Sequence, residues 1–302
     1  MVLTRFKGAY PENTIAAMKA AIEAGANIVE TDIQIASDGV LVMSHDVNTL
    51  RCYGKSLNIY DTPYYGQLDQ LETIGEIQEK MPTFEQIAKL FASDDEFKNA
   101  KLMLDIKRSN EPWVIERIVK VLKSVNPDME GFWSQRMIFG VWRLDVLKAC
   151  QKSAPGFPIL HIGVSRSLAE TFLGYHEVVG VSLLYFALNT PGGHGFIERA
   201  RQSGRAVYSW VINDTTLIKW AISEKLDGII TDDPKLYTQF VEGLSESDIN
   251  KYKESEPSSY STWSSLIKGT LLYGAFGLVV TAMDLMWFVT PLKLPGESVE
   301  RS

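Results

Sequence analysis

Apolar positions along the chain follow two rhythms. Short β-branched runs of strand length are separated by longer stretches in which apolar residues return every three or four positions. The runs at 28–30, 102–106, 137–140, 158–161, 178–183, 206–211 and 228–231 read as strands, and Val2-Leu3 supplies a short first one. Between them the spacing predicts amphipathic helices over 14–24, 111–123, 146–150, 196–202 and 215–224, and Pro82-Thr83 opens another with Thr83 as its cap. Such alternation predicts parallel strands with helices outside, and eight strands is the number that closes a (β/α)8 barrel. A doubly wound open sheet is the competing architecture. It would prefer a glycine-rich phosphate turn after its first strand, and Lys7-Gly8-Ala9-Tyr10-Pro11 is not one. The stretch 47–81 breaks the rhythm and reads as an excursion at the strand ends, where barrels place substrate-contacting loops.

The pattern changes again near the C-terminus. Residues 1–242 carry the barrel pattern, 243–265 read as a polar linker, 266–290 as an apolar helix and 291–302 as a short tail. From Gly269 to Thr290 the 22 residues contain one charge, Asp284. At 1.5 Å per residue such a helix spans about 33 Å, which predicts a transmembrane or membrane-associated helix. Trp287 near one end and Pro291 after it fit that reading.

Composition narrows the function. A net charge of −7 argues against a general nucleic-acid binder. Two cysteines, Cys52 and Cys150, give neither a disulfide framework nor a cysteine-rich zinc site. Met1 to Arg5 turns polar too soon for a signal peptide.

The chemistry-bearing residues cluster at strand ends. Glu30 and Asp32 have the same-face spacing of a strand, and Asp105 can add a third carboxylate from another strand. Hard oxygen donors of this kind suit Mg2+ or Ca2+, although an acid after a strand is also a common helix cap or solvated turn. His45 ends the run 39–44 and is a candidate general acid or base, with a buried structural histidine as its plainer reading. Lys107 shares a face with Asp105 and either complements a phosphate or forms an ion pair. His161, His176 and His194 have no carboxylate at a telling spacing and read as structural or surface residues.

The blocks Tyr10-Pro11-Glu12-Asn13-Thr14, 25–32, 37–46, Pro82-Thr83-Phe84, Leu104-Asp105-Ile106-Lys107 and 227–234 carry a resemblance. In them the chain resembles the glycerophosphodiester phosphodiesterase family, and most closely its fungal phosphatidylglycerol phospholipase C branch. The resemblance implies a TIM barrel, a divalent cation on Glu30, Asp32 and Asp105, and His45 as the acid that protonates the leaving group. It further implies phosphate contact by Lys107, an aromatic near the pocket at Trp210, and site-lining roles for Glu12 and Asn13. The family's first strand ends in Gly-His-Arg, and here the equivalent stretch is Val2-Leu3-Thr4-Arg5. The pairing histidine is absent, and Arg5 takes the arginine's place only after a one-residue slip. Two explanations stand: a sequence that begins inside its own first strand, or a degenerate member with weak activity or a binding role.

The implied reaction is metal-dependent cleavage of a phosphodiester. On the phospholipid reading, phosphatidylglycerol gives diacylglycerol and glycerol phosphate; on the alternative, a soluble deacylated headgroup is cleaved. The expected partners are a phospholipid substrate and a membrane, with no nucleic acid. The expected location is membrane-associated with the barrel facing the cytoplasm, on endoplasmic reticulum, lipid droplet or mitochondrion.

Overall fold

In the computed structural model, residues 2–4 and 10–254 are described, the first three and the last two by backbone alone. The strands are β1 (Val2–Thr4), β2 (Ile28–Ile35), β3 (Leu41–Met43), β4 (Lys101–Ile106), β5 (Met137–Val141), β6 (Ile159–Gly163), β7 (Val178–Leu184), β8 (Ala206–Trp210) and β9 (Gly228–Thr231). They form one sheet in the order β1-β9-β8-β7-β6-β5-β4-β2-β3, parallel except for the antiparallel pairing of β3 with β2. Helices cover the outside, as buried parallel strands require. Their ends are capped locally: Thr14 and Asp214 accept from the first-turn amides, and Thr83 with Gln86 forms a capping box.

Side chains alternate across the sheet. Ile28, Met103, Ile138, Leu160, Ile162, Tyr208 and Ile230 point inward and make an apolar floor. Leu104 and Phe139 point outward against the helix Val114–Val125, with Ile115 and Ile118 in the same cluster. Because the period is two, Glu30 and Asp32 on β2 and Asp105 on β4 lie on the inward face above that floor.

The regular closed TIM (β/α)8 barrel expected from the strand count is corrected to a curled sheet, open along much of one side. Among the described residues its two ends meet only at the three residues of β1, which pairs with β9 from Val2 to Thr4 and with β2 at Leu3 and Thr4. Among the described residues β2 has no pairing toward β1 beyond Val29, and its far end is edged by β3, a ninth strand of opposite direction. The physical reason is length: a three-residue strand cannot match the eight residues of β2.

The membrane expectations are corrected as well. No helix among the described residues is long and apolar enough to cross a membrane. The apolar stretch 266–290 lies outside the described residues, so the transmembrane helix, the membrane as partner and the membrane-associated location have no element of the described structure to rest on. Part of the stretch read as a linker is helical, Glu246–Glu254, and Tyr252 comes near Lys219 of the helix Thr215–Ser223. The excursion 47–81 builds a small core of its own, with Tyr53, Ile59, Tyr64, Leu68 and Met81 packed on Val42 of β3.

Candidate active site

Register brings the acids together. β2 pairs with β4 so that Asp32 stands opposite Asp105 and Glu30 opposite Met103. Glu30, Asp32 and Asp105 are 3%, 0% and 0% exposed, and one oxygen from each lies within 4.8 Å of the others. Two oxygens bound to one ion at 2.0–2.6 Å are separated by at most about 5 Å, so the three carboxylates fit a single hard divalent cation. Three buried negative charges at this spacing also repel one another and call for positive charge. Lys107 supplies some of it: Nζ lies 2.6 Å from Asp32 Oδ1 and 2.8 Å from Asp105 Oδ2. Lys107 thus stands on the carboxylates, in keeping with the ion-pair reading of its strand position.

Both aspartates are held from behind by neutral donors. Asn13 Nδ2 donates to Asp32 Oδ2 at 2.9 Å, while its Oδ1 accepts from Thr31 Oγ1 at 2.6 Å and from the Asp32 amide at 2.9 Å. Trp142, just beyond β5, donates from Nε1 to Asp105 Oδ1 at 2.7 Å. Its ring meets Trp210 edge to face at 5.9 Å, and Trp210 Nε1 donates to the Ser182 carbonyl. The two indoles make an aromatic wall beside Asp105.

His45 follows Ser44, whose amide donates to the Asp32 carbonyl, so the β3 hairpin carries the imidazole to the acid end of β2. Its Nδ1 lies 2.7 Å from Asp46 Oδ1. A carboxylate can only accept there, which assigns the proton to Nδ1 and leaves Nε2 for chemistry. Asp46 Oδ2 takes the Nε of Arg51 at 2.6 Å, and Arg51 Nη2 reaches Glu12 Oε1 at 2.5 Å. Partial burial pushes Asp46 up, but the hydrogen bonds from Arg51 and His45 outweigh it and hold the carboxyl below its ordinary range.

The structure gathers these residues in two sets of contacts: Asn13, Asp32, Lys107 and Asp105 with Glu30 in the acid cluster and Trp210 reached through Trp142, and His45 joined to Glu12 through Asp46 and Arg51. Arg5 lies outside the described residues. Asn13 is buried and spends its side chain on Thr31 and Asp32. The sequence reading missed Asp46, Arg51 and Trp142. Asp46 is next to His45 and Trp142 sits at a strand end, which are usable signals; Arg51, on the short helix Leu50–Tyr53, offers none. Of the other histidines, His161 stacks on Phe172 behind the sheet, His176 is exposed beside Glu177, and His194 pairs with Glu224.

Residues 6–236 match the model of the glycerophosphoryl diester phosphodiesterase family. The chain belongs to that family. Among its relatives, the glycerophosphodiester phosphodiesterase of Caldanaerobacter subterraneus is 28% identical, over 76% of this chain and 92% of that protein. Human lysophospholipase D GDPD1 is 24% identical, over 78% and 83%. Among solved structures, a phosphodiesterase from Oleispira antarctica in complex with the product sn-glycerol-3-phosphate superposes with a TM-score of 0.65 at 20% identity, covering 80% of this chain and 97% of that one. At that identity the likeness speaks for the fold. Family membership accords with an acidic cluster suited to a divalent cation, the coarse form of the cofactor reading.

Proposed function

We propose that the protein is a divalent-cation-dependent phosphodiesterase acting on glycerophosphodiesters, with soluble deacylated headgroups as its substrate class. The observation that carries this reading is the convergence of Glu30, Asp32 and Asp105 within 4.8 Å beside Lys107. The named activity of the Caldanaerobacter relative points the same way.

In this mechanism Glu30, Asp32 and Asp105 would hold the cation, which would supply positive charge toward the non-bridging oxygens of the phosphodiester. Lys107 adds positive charge at the same place. The glycerol hydroxyl next to the phosphate attacks phosphorus, and the bond to the departing alcohol breaks as His45 Nε2 gives that oxygen a proton. Asp46 fixes the ring through Nδ1, while Arg51 holds Asp46 and Glu12. Water then opens the cyclic phosphate. Trp142 and Trp210 shield the Asp105 side of the site. The chain has four histidines, and the other three stand away from this cluster. The proton of the attacking hydroxyl passes to solvent.

Phospholipase C-type cleavage of phosphatidylglycerol rests on the sequence resemblance alone and forms the second arm of the test. Purified protein is incubated with glycerophosphocholine, glycerophosphoglycerol or phosphatidylglycerol, each with Mg2+ or with excess chelator. The expected result is glycerol phosphate from the soluble diesters, lost with chelator and in E30A and D32A. Full turnover in chelator overturns the cation reading, and turnover of phosphatidylglycerol alone overturns the soluble-headgroup reading.

A further inference from the structure

The two aspartates of the acidic cluster are held in matching ways by residues from different parts of the chain. In each, one oxygen receives a neutral N–H and the other faces Lys107 Nζ. For Asp32 the back oxygen is Oδ2, held by Asn13 Nδ2 at 2.9 Å, and the front oxygen is Oδ1, 2.6 Å from Nζ. For Asp105 the back oxygen is Oδ1, held by Trp142 Nε1 at 2.7 Å, and the front oxygen is Oδ2, 2.8 Å from Nζ. The front oxygens therefore converge on one place, where positive charge already sits.

The geometry points to Asn13 and Trp142 as a pair of positioning residues that make Asp32 and Asp105 bind through one oxygen each, tuning the site to a small cation of the Mg2+ class over Ca2+. This rests on the cation reading above. Ca2+ favours six to eight ligands and readily takes carboxylates through both oxygens, whereas Mg2+ demands near-octahedral geometry with single oxygens close in. Turning a back oxygen onto the ion would strip a buried N–H of its acceptor, and that penalty falls on the ion that needs both oxygens.

An internal repeat shows that the Asn13 clamp is a local device that forms without a cation cluster. Asn213 lies as far before Thr231 and Asp232 as Asn13 does before Thr31 and Asp32, 18 and 19 residues. Its bonds are the same: Nδ2 donates to Asp232 Oδ2 at 2.8 Å, and Oδ1 accepts from Thr231 Oγ1 at 3.1 Å and the Asp232 amide at 2.8 Å. The intervening units also correspond. Helices Ile15–Glu23 and Thr215–Ser223 are followed by left-handed residues Gly25 and Lys225 and by the equivalent bonds Ala26 N to Ala21 O and Leu226 N to Ala221 O. In the second copy Ile230 stands where the first has Glu30. The turn, helix and strand thus fix the aspartate by themselves, and the first copy puts that fixed carboxylate to use. Asn13 pays a backbone cost to do so, with φ at +59°.

The test is calorimetric titration of Mg2+ and of Ca2+ into the full chain freed of cations, for wild type, W142F, N13G and the control N213A. W142F keeps an aromatic ring and removes the N–H; N13G suits the left-handed backbone and removes the side chain. Wild type is expected to prefer Mg2+. Removing an outer partner of a metal ligand weakens metal binding about 10- to 100-fold. That loss should fall on Mg2+ more than on Ca2+ in W142F and N13G, so the ratio of the two dissociation constants moves toward Ca2+, while N213A keeps the wild-type ratio. A wild type that prefers Ca2+, or a W142F ratio equal to wild type, overturns the assignment. Wild type that binds neither cation overturns it together with the cation reading, whereas binding with unchanged ratios overturns the positioning role alone.

Discussion

Asp46 Oδ1 stands 2.7 Å from His45 Nδ1, so the His45 imidazole is oriented by its own chain neighbour. General acid–base catalysis contributes typically about 10²- to 10⁴-fold, and H45A should lower kcat by an amount in that range. D46N keeps the shape of the side chain and weakens the acceptor that fixes the ring. It should cost about tenfold or more in kcat with little change in KM. Steady-state kinetics on a soluble glycerophosphodiester checks both, and a D46N enzyme with wild-type kcat would remove the orienting role.

Arg51 bonds Asp46 on one side and Glu12 on the other. R51M should lower kcat several-fold, and R51K should recover only part of it, because an ammonium does not reproduce the fork of a guanidinium. The direction of the Asp46 shift sets the pH dependence. A depressed carboxyl stays ionised until the pH falls through its lowered value, so any loss of activity from its protonation begins below the ordinary carboxylate range. In R51M that acid limb should move upward. A pH profile of kcat unchanged between the two proteins would count against the coupling.

Cation binding should be visible as stability. A ligand that binds only the folded state adds about 2.7 kcal/mol at a hundred times its dissociation constant. Thermal melts with and without Mg2+ should show a rise in Tm for wild type and none for E30Q, since Glu30 is one of three buried oxygen donors. An E30Q protein that Mg2+ stabilises as much as wild type would show that the ion sits elsewhere.

His161 should be an acid-sensitive point. Burial pushes its pKa down to about 3, against a smaller opposing pull from its hydrogen bond to the Val141 carbonyl, and the ring stacks on Phe172 at 3.9 Å. Its folded value lies below the unfolded one, so between about pH 6.5 and 3 the unfolded chain takes up a proton that the folded chain refuses. Stability is then lost as pH falls through that window, by at most about 1.4 kcal/mol per pH unit. Denaturant melts at pH 7 and pH 5 should show a smaller loss for H161F than for wild type, and equal losses would put the acid sensitivity at other groups.

Much of the site can be read along the chain because its rules are local. The two-residue period of a strand places Glu30 with Asp32 on one face of their strand and Asp105 with Lys107 on one face of theirs, whatever the rest of the molecule does. The run before His45 likewise places the imidazole at a strand end. The closed barrel did not follow from counting eight strands, because closure depends on how long the first and second strands can pair, and β1 supplies two partners to β2. Nor did the role of 39–44: it turns back against β2 as an antiparallel strand, and β4 becomes the parallel neighbour.

The sequence by itself determined the strand and helix rhythm, the family and the identity of the acids, because these rest on periodicity and on short motifs whose residues are neighbours. Only the tertiary structure decided that Asp32 faces Asp105 across a strand pair, that Arg51 reaches Glu12 from 39 residues away, and that an indole 37 residues beyond Asp105 holds its carboxylate. Those contacts arise when distant segments pack. A hydrogen bond needs its partners within about 3 Å and in line, and no local spacing along a chain specifies that for residues so far apart.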